Sequence, residues 1–170
     1  MNDHGRARRG DSGVLRGSAE ALSKAVDLLA LRPHFRAELA LKLARRAFEG
    51  EVVIATLDRL EELGYLDDLA AARGFAEGKA LRAGWGPGRL RAELARRGVA
   101  DDTVATVVAG AFADGEGAAV RSAAERWTAR GGSGRDRLAR YLDRRGFSKA
   151  AIVEILSEFA GESGSQHEEF

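Results

Sequence analysis

A ten-residue pattern occurs three times in this chain without gaps, and it limits the fold more than any other feature. The copies are Leu39-Ala-Leu-Lys-Leu43-Ala-Arg-Arg-Ala-Phe48, Leu90-Arg-Ala-Glu-Leu94-Ala-Arg-Arg-Gly-Val99 and Leu138-Ala-Arg-Tyr-Leu142-Asp-Arg-Arg-Gly-Phe147. Two leucines four residues apart place one apolar stripe on a helix. A double arginine closes each copy, at 45–46, 96–97 and 144–145. Gly98 and Gly146 then stand where a left-handed residue ends a helix, and Val99 and Phe147 supply the next apolar contact. Ala47 stands at the same place without glycine's freedom, so the first copy is expected to end its helix differently or under strain.

The register persists downstream, where Val53, Val104 and Ile152 correspond, as do Leu57, Val108 and Leu156. One further helical stretch precedes each copy, near 18–31, 69–82 and 117–129. Arg32-Pro33-His34, Gly84-Trp85-Gly86-Pro87 and Gly131-Gly-Ser-Gly134 separate it from the copy. No run alternates as a strand does. The expectation is an all-α chain of three tandem three-helix repeats, over residues 18–68, 69–114 and 115–160. Such small units bury little alone, so they are expected to pack end to end as an elongated curved array. The glycine-rich joints are expected to let the units tilt.

Residues 1–17, with four glycines and four arginines, read as a flexible arm, and 161–170 as a disordered acidic tail. The arm has no apolar stretch behind its arginines, unlike a secretory signal. No apolar run suits a membrane span. Absent cysteine excludes a disulfide framework and thiolate chemistry, and is consistent with a cytoplasmic protein.

The formal net charge of +1 predicts no polyanion partner by itself. The charge is nevertheless sorted by helix. Arg32, Arg36, Lys42, Arg45 and Arg46 stand against Glu38 alone; Arg82, Arg89, Arg91, Arg96 and Arg97 against Glu93; and Arg135, Arg137, Arg140, Arg144 and Arg145 against Asp136 and Asp143. The stretch 49–68 is acidic. A basic face repeated along a solenoid suits an anionic groove. Two simpler explanations compete: arginines at a helix C-terminus complement the helix dipole, and acidic helices pair with basic ones. The dipole accounts for Arg45, Arg46, Arg96, Arg97, Arg144 and Arg145. It accounts poorly for Arg89 and Arg91, which lie near a helix start, and these two are the better contact candidates.

No constellation for catalysis emerges, and neither a cofactor nor a small-molecule substrate is expected. His4 and His167 lie in the terminal segments, and His34 beside Pro33 reads as a cap or surface residue. No HxxxH or HExxH spacing occurs. Gly74-Phe-Ala-Glu-Gly78-Lys79-Ala80 is one residue short of a phosphate loop, has alanine in place of the metal-binding hydroxyl and follows no strand. Asp67-Asp68 and Asp101-Asp102 precede helices, where carboxylates cap.

Two motifs at a set separation carry a resemblance. Leu57-Asp-Arg-Leu-Glu-Glu-Leu-Gly-Tyr-Leu-Asp-Asp68, followed by Gly84-Trp-Gly-Pro-Gly-Arg-Leu-Arg-Ala-Glu-Leu-Ala-Arg-Arg-Gly-Val99, resembles the RecX regulatory-protein family over about residues 21–159. The chain departs from the family at Ala70 and Ala71, where an Arg-Phe pair is usual; Phe75 still matches a later aromatic. The resemblance implies a non-enzymatic regulator that lies in the groove of the RecA filament on DNA. Bound there, it hinders RecA's ATP turnover, strand exchange and coprotease activity, in DNA repair and the SOS response. DNA would then be met through the filament, with no membrane partner. The alternative is a winged-helix DNA-binding transcription factor built on Arg36–Tyr65, which requires a β-hairpin after Tyr65.

Overall fold

The computed structural model describes residues 7–164, and among them every regular element is helical. Three groups succeed one another: α1 (Ala7–Leu31), α2 (Arg36–Ala44) and α3 (Gly50–Glu62); α4 (Asp68–Glu77), α5 (Pro87–Arg96) and α6 (Asp101–Ala111); α7 (Gly117–Thr128), α8 (Arg135–Arg144) and α9 (Lys149–Gly164). A five-residue π-helical segment, Gly78–Arg82, prolongs α4. Helix α1 begins at Ala7 rather than near residue 18, so the segment expected to be an arm is helical from there. Helix α9 likewise continues past residue 160, to Gly164. Residues 1–6 and 165–170, with His4 and His167, lie outside the described residues.

The chain divides into two compact units: residues up to Ala71 together with Arg97–Val99, and Ala72–Arg96 together with Ala100 onward. In the first, Leu39 and Leu43 of α2 meet Ala25 of α1 and Val53, Leu57 and Leu60 of α3 in one core. In the second, Leu138 and Leu142 of α8 join Val120 of α7 and Ile152, Ile155 and Leu156 of α9. Leu90 and Leu94 of α5 are fully buried, as are Leu39, Leu43 and Leu142 at matching places in the repeat. Burying such a side chain contributes about 1.5–3 kcal/mol, so the leucine pairs anchor each middle helix.

The Gly-Tyr-Leu-Asp-Asp turn has a physical reason at nearly every residue. Gly64, at φ 72°, ends α3 while the Tyr65 amide bonds the Leu60 carbonyl at 2.9 Å. Leu66 enters the core. The Asp67 carboxylate accepts the Ala70 amide at 2.9 Å and so caps α4. The Asp68 carboxylate accepts the Arg36 amide at 2.7 Å, supplying the N-terminal cap that Phe35 cannot give α2. Burial raises the Asp68 pKa above the ordinary carboxylate value; the bond from Arg36 opposes that rise. The turn after Tyr65 therefore leads into helix α4, which removes the hairpin that a winged-helix reading needs.

Helix α2 ends as the missing glycine suggested. Ala47 sits at φ 62°, the one left-handed non-glycine among the described residues. An L side chain there costs roughly 1–2 kcal/mol, of which glycine's looser unfolded state returns about 0.4–1. Ala47→Gly is expected to stabilise the protein by about 0.5–1 kcal/mol, read as a higher urea midpoint at unchanged slope. An unmoved midpoint would mean that Ala47 carries no strain.

Candidate partner-binding surface

The eight arginines singled out from the sequence divide by what they touch. Arg96 grips Glu93 with two bonds of 2.7 and 2.9 Å. Arg97 pairs with Glu38 at 3.0 Å. Arg46 donates to the Lys42 carbonyl at 3.0 Å, which is the helix-end role the dipole predicts. Arg45, Arg91 and Arg144 are exposed, and their guanidinium groups have no hydrogen bond or ion pair among the described residues.

Arg89 and Arg145 belong to a joint inside the second unit. The Gly86 amide bonds the Arg145 carbonyl at 2.7 Å and the Gly88 amide bonds the Gly146 carbonyl at 2.9 Å. The start of α5 thus supplies donors to the end of α8, with opposite dipole ends facing each other. Arg89 donates to the Arg144 carbonyl at 3.3 Å and lies over the Trp85 ring, 4.2 Å from its centre. Lys79, carried by the π-helical segment, holds its ammonium 5.1 Å from the same ring centre and 5.4 Å from that of Phe75. Arg145 donates to the Ala83 carbonyl and covers Tyr141.

The joint explains Arg89, which the dipole of α5 alone does not: the carbonyl end of α8 compensates the start of α5. It also gives the glycines of 84–88, which composition reads as a joint, a packing role. A Cβ on Gly86 would stand 2.6 Å from the Gly146 carbonyl carbon and the Phe147 nitrogen, so this glycine is there for close backbone approach. Nothing in the sequence near residue 86 announces a neighbour at residue 146.

The acidic third helix of the first group does pair with its basic neighbour. Arg36 reaches Asp58 at 2.6 Å and Glu61 at 2.8 Å. His34, expected as a cap or surface residue, is buried to 3% exposure, and its Nδ1 lies 2.9 Å from the Arg32 carbonyl. It braces the turn into α2. Among the described residues no cluster of three His, Cys, Asp or Glu is placed to hold a metal, and no helix is long and apolar enough to cross a membrane.

Tandem three-helix groups with arginine-ended middle helices define a class, and comparison places the chain within it. A family model described as "RecX, first three-helix domain" matches residues 21–60, and one described as "RecX, second three-helix domain" matches 67–108. Regulatory protein RecX of a Thermus thermophilus strain is 49% identical over 90 residues, which cover 53% of this chain and 61% of that protein. Regulatory protein RecX of a Mycobacterium species is 41% identical over 99 residues, covering 58% and 52%. The matched part of the chain thus spans about three fifths or less of these relatives' length. In fold, a crystal structure of regulatory protein RecX superposes with a TM-score of 0.76 at 18% identity, over 92% of this chain and 79% of that one. RecX from Lactobacillus salivarius gives 0.74, also at 18%, over 85% and 97%. The chain belongs to the RecX family of regulatory proteins.

Proposed function

We propose that the protein is a non-enzymatic regulator of the RecA recombinase. It binds in the groove of the RecA filament on DNA and inhibits ATP hydrolysis, strand exchange and coprotease activity, as part of DNA repair in the cytoplasm. Family membership supports this reading. The observation that carries it to particular residues is the set of exposed guanidinium groups without partners among the described residues, including Arg45, Arg91 and Arg144. Arginine in that state is free for carboxylate or phosphate on another molecule. The remaining five arginines of the candidate surface already make contacts within the chain, so they act in part by shaping it.

The test is RecA's DNA-dependent ATP hydrolysis on single-stranded DNA, titrated with this protein at fixed salt. Co-sedimentation with the filament and with bare DNA runs beside it. The expected result is inhibition below equimolar protein, with filament bound in preference to bare DNA. Arg91→Glu is expected to raise the protein needed for half-inhibition by about tenfold, the effect of roughly 1.4 kcal/mol. Unchanged hydrolysis together with tight binding to one duplex sequence would overturn the reading in favour of a DNA-binding factor.

A further inference from the structure

The three middle helices carry similar basic charge, yet they use it differently. On α2, Arg36 is bound to Asp58 and Glu61. On and just after α5, Arg96 and Arg97 are bound to Glu93 and Glu38, and Arg89 is engaged at the joint. On α8, by contrast, Arg135, Arg137, Arg140 and Arg144 are all exposed, and none of the four guanidinium groups has a hydrogen bond or ion pair among the described residues. This is not for want of acid in the chain, which holds 26 Asp and Glu.

Three of these arginines share one face. Arg137, Arg140 and Arg144 succeed each other at three and four residues, the spacing of neighbours on a helix surface. Leu138 and Leu142, which point into the core, fix the opposite side. The two acids of α8, Asp136 and Asp143, lie four residues before and three after Arg140 and so flank it on the helix surface. Yet among the described residues neither forms an ion pair with it, and each projects about 100° away from its own neighbour, Arg137 or Arg144. The stripe rises about 10 Å along the helix. A stacked nucleic-acid strand passes about three phosphates in that length.

We propose that the exposed face of α8 binds the phosphodiester backbone of a single nucleic-acid strand directly, without RecA, through Arg137, Arg140 and Arg144. An arginine left unpaired while acids are abundant retains its charge for an outside anion. Three in a row at phosphate-like intervals match a repeating anion better than an isolated carboxylate. The matched family domains end at residue 108, so α8 lies beyond both. The third group then supplies a strand contact that the first two, with most of their arginines consumed internally, do not. This holds whether or not the filament reading does.

The experiment is fluorescence anisotropy of a labelled oligothymidylate with the full chain, RecA absent, at several salt concentrations. Neutralising about Z phosphates on single strands gives a slope of log affinity against log salt near −0.7Z, so three contacts predict about −2. Arg137→Gln/Arg140→Gln/Arg144→Gln, all on the exposed face, is expected to keep the helical circular dichroism spectrum and abolish most of that slope. The same three positions changed to lysine are expected to keep it, and Arg59→Gln, at a residue already paired with Glu62 at 2.9 Å, to leave it unchanged. A slope that persists in the triple glutamine variant overturns the proposal. So does a wild-type chain that leaves the oligonucleotide free at low salt. If the triple variant instead loses only binding to RecA protein, the face belongs to a protein partner and the strand assignment fails.

Discussion

Gly146→Ala is expected to cost the protein about 3 kcal/mol, against about 1–2 kcal/mol for Gly131→Ala. The two glycines have the same left-handed φ of 82°, so both substitutions incur the same backbone strain. They differ in surroundings. A Cβ on Gly131 meets nothing within 4 Å, whereas on Gly146 it would lie 2.2 Å from the Arg89 nitrogen, 2.5 Å from its Cβ and 2.8 Å from its Cα. Those atoms are backbone or rigidly attached to it, so relief requires moving the start of α5 away from the end of α8. Overpacking of this kind costs typically 1–3 kcal/mol beyond the strain. Equilibrium urea unfolding of both variants measures the difference. Hydrogen exchange at the Gly86 and Gly88 amides, which bond the Arg145 and Gly146 carbonyls, reports whether the joint has opened. Equal costs for the two substitutions would show that the α5–α8 contact gives way without resistance.

The same comparison marks where sequence reasoning succeeds. A residue after a double arginine that must be left-handed is a local property, so Gly98, Gly146 and the strained Ala47 are all legible from the repeat. The buried leucines are legible for the same reason, since their four-residue spacing is written in adjacent turns. Gly86 reads as a hinge in the sequence because its need for a missing side chain arises from Gly146, far away along the chain. Asp68 reads as a cap for its own helix, but its partner is the first turn of α2, and periodicity carries no information about that pairing.

For the candidate surface, the repeat reveals the charges but not their occupancy. Arg97 and Arg91 look alike in the pattern; one is bound to Glu38, which belongs to another helix, and the other is unpaired among the described residues. The preference for Arg89 as a contact rests on a helix dipole considered alone. Once the end of α8 is placed against it, the unfavourable site becomes a compensated one, and Arg89, still exposed, gains a role in the scaffold. Whether an arginine serves the fold or a partner is decided by which acid or carbonyl the fold brings within hydrogen-bonding distance, about 3 Å. That is a tertiary fact.

His34 leads to the second large effect, on pH. The Arg32 carbonyl can only accept, so Nδ1 carries the proton and Nε2 presents a bare lone pair, buried and without a hydrogen-bond partner. Protonating Nε2 would bury a charge and an unanswered N–H. Burial accordingly lowers the His34 pKa; the Arg32 carbonyl bond opposes this, the charges of Arg32 and Lys42 reinforce it, and Glu38 weakly opposes it. In the unfolded chain His34 titrates near 6.5. Between that value and the lower folded one, the unfolded state binds more protons, so stability rises with pH and is lost as pH falls below about 6.5. The loss approaches about 1.4 kcal/mol per pH unit until the folded-state pKa is reached. His34→Asn keeps a donor for the Arg32 carbonyl and does not titrate, so subtracting its unfolding free energy isolates this one group from the carboxylates that titrate in the same range. The wild type is expected to lose ground against the variant as pH falls through about 6.5 toward the lower folded-state pKa. A difference that stays flat over that interval would mean that His34 titrates alike folded and unfolded, and that water reaches Nε2 in the native protein.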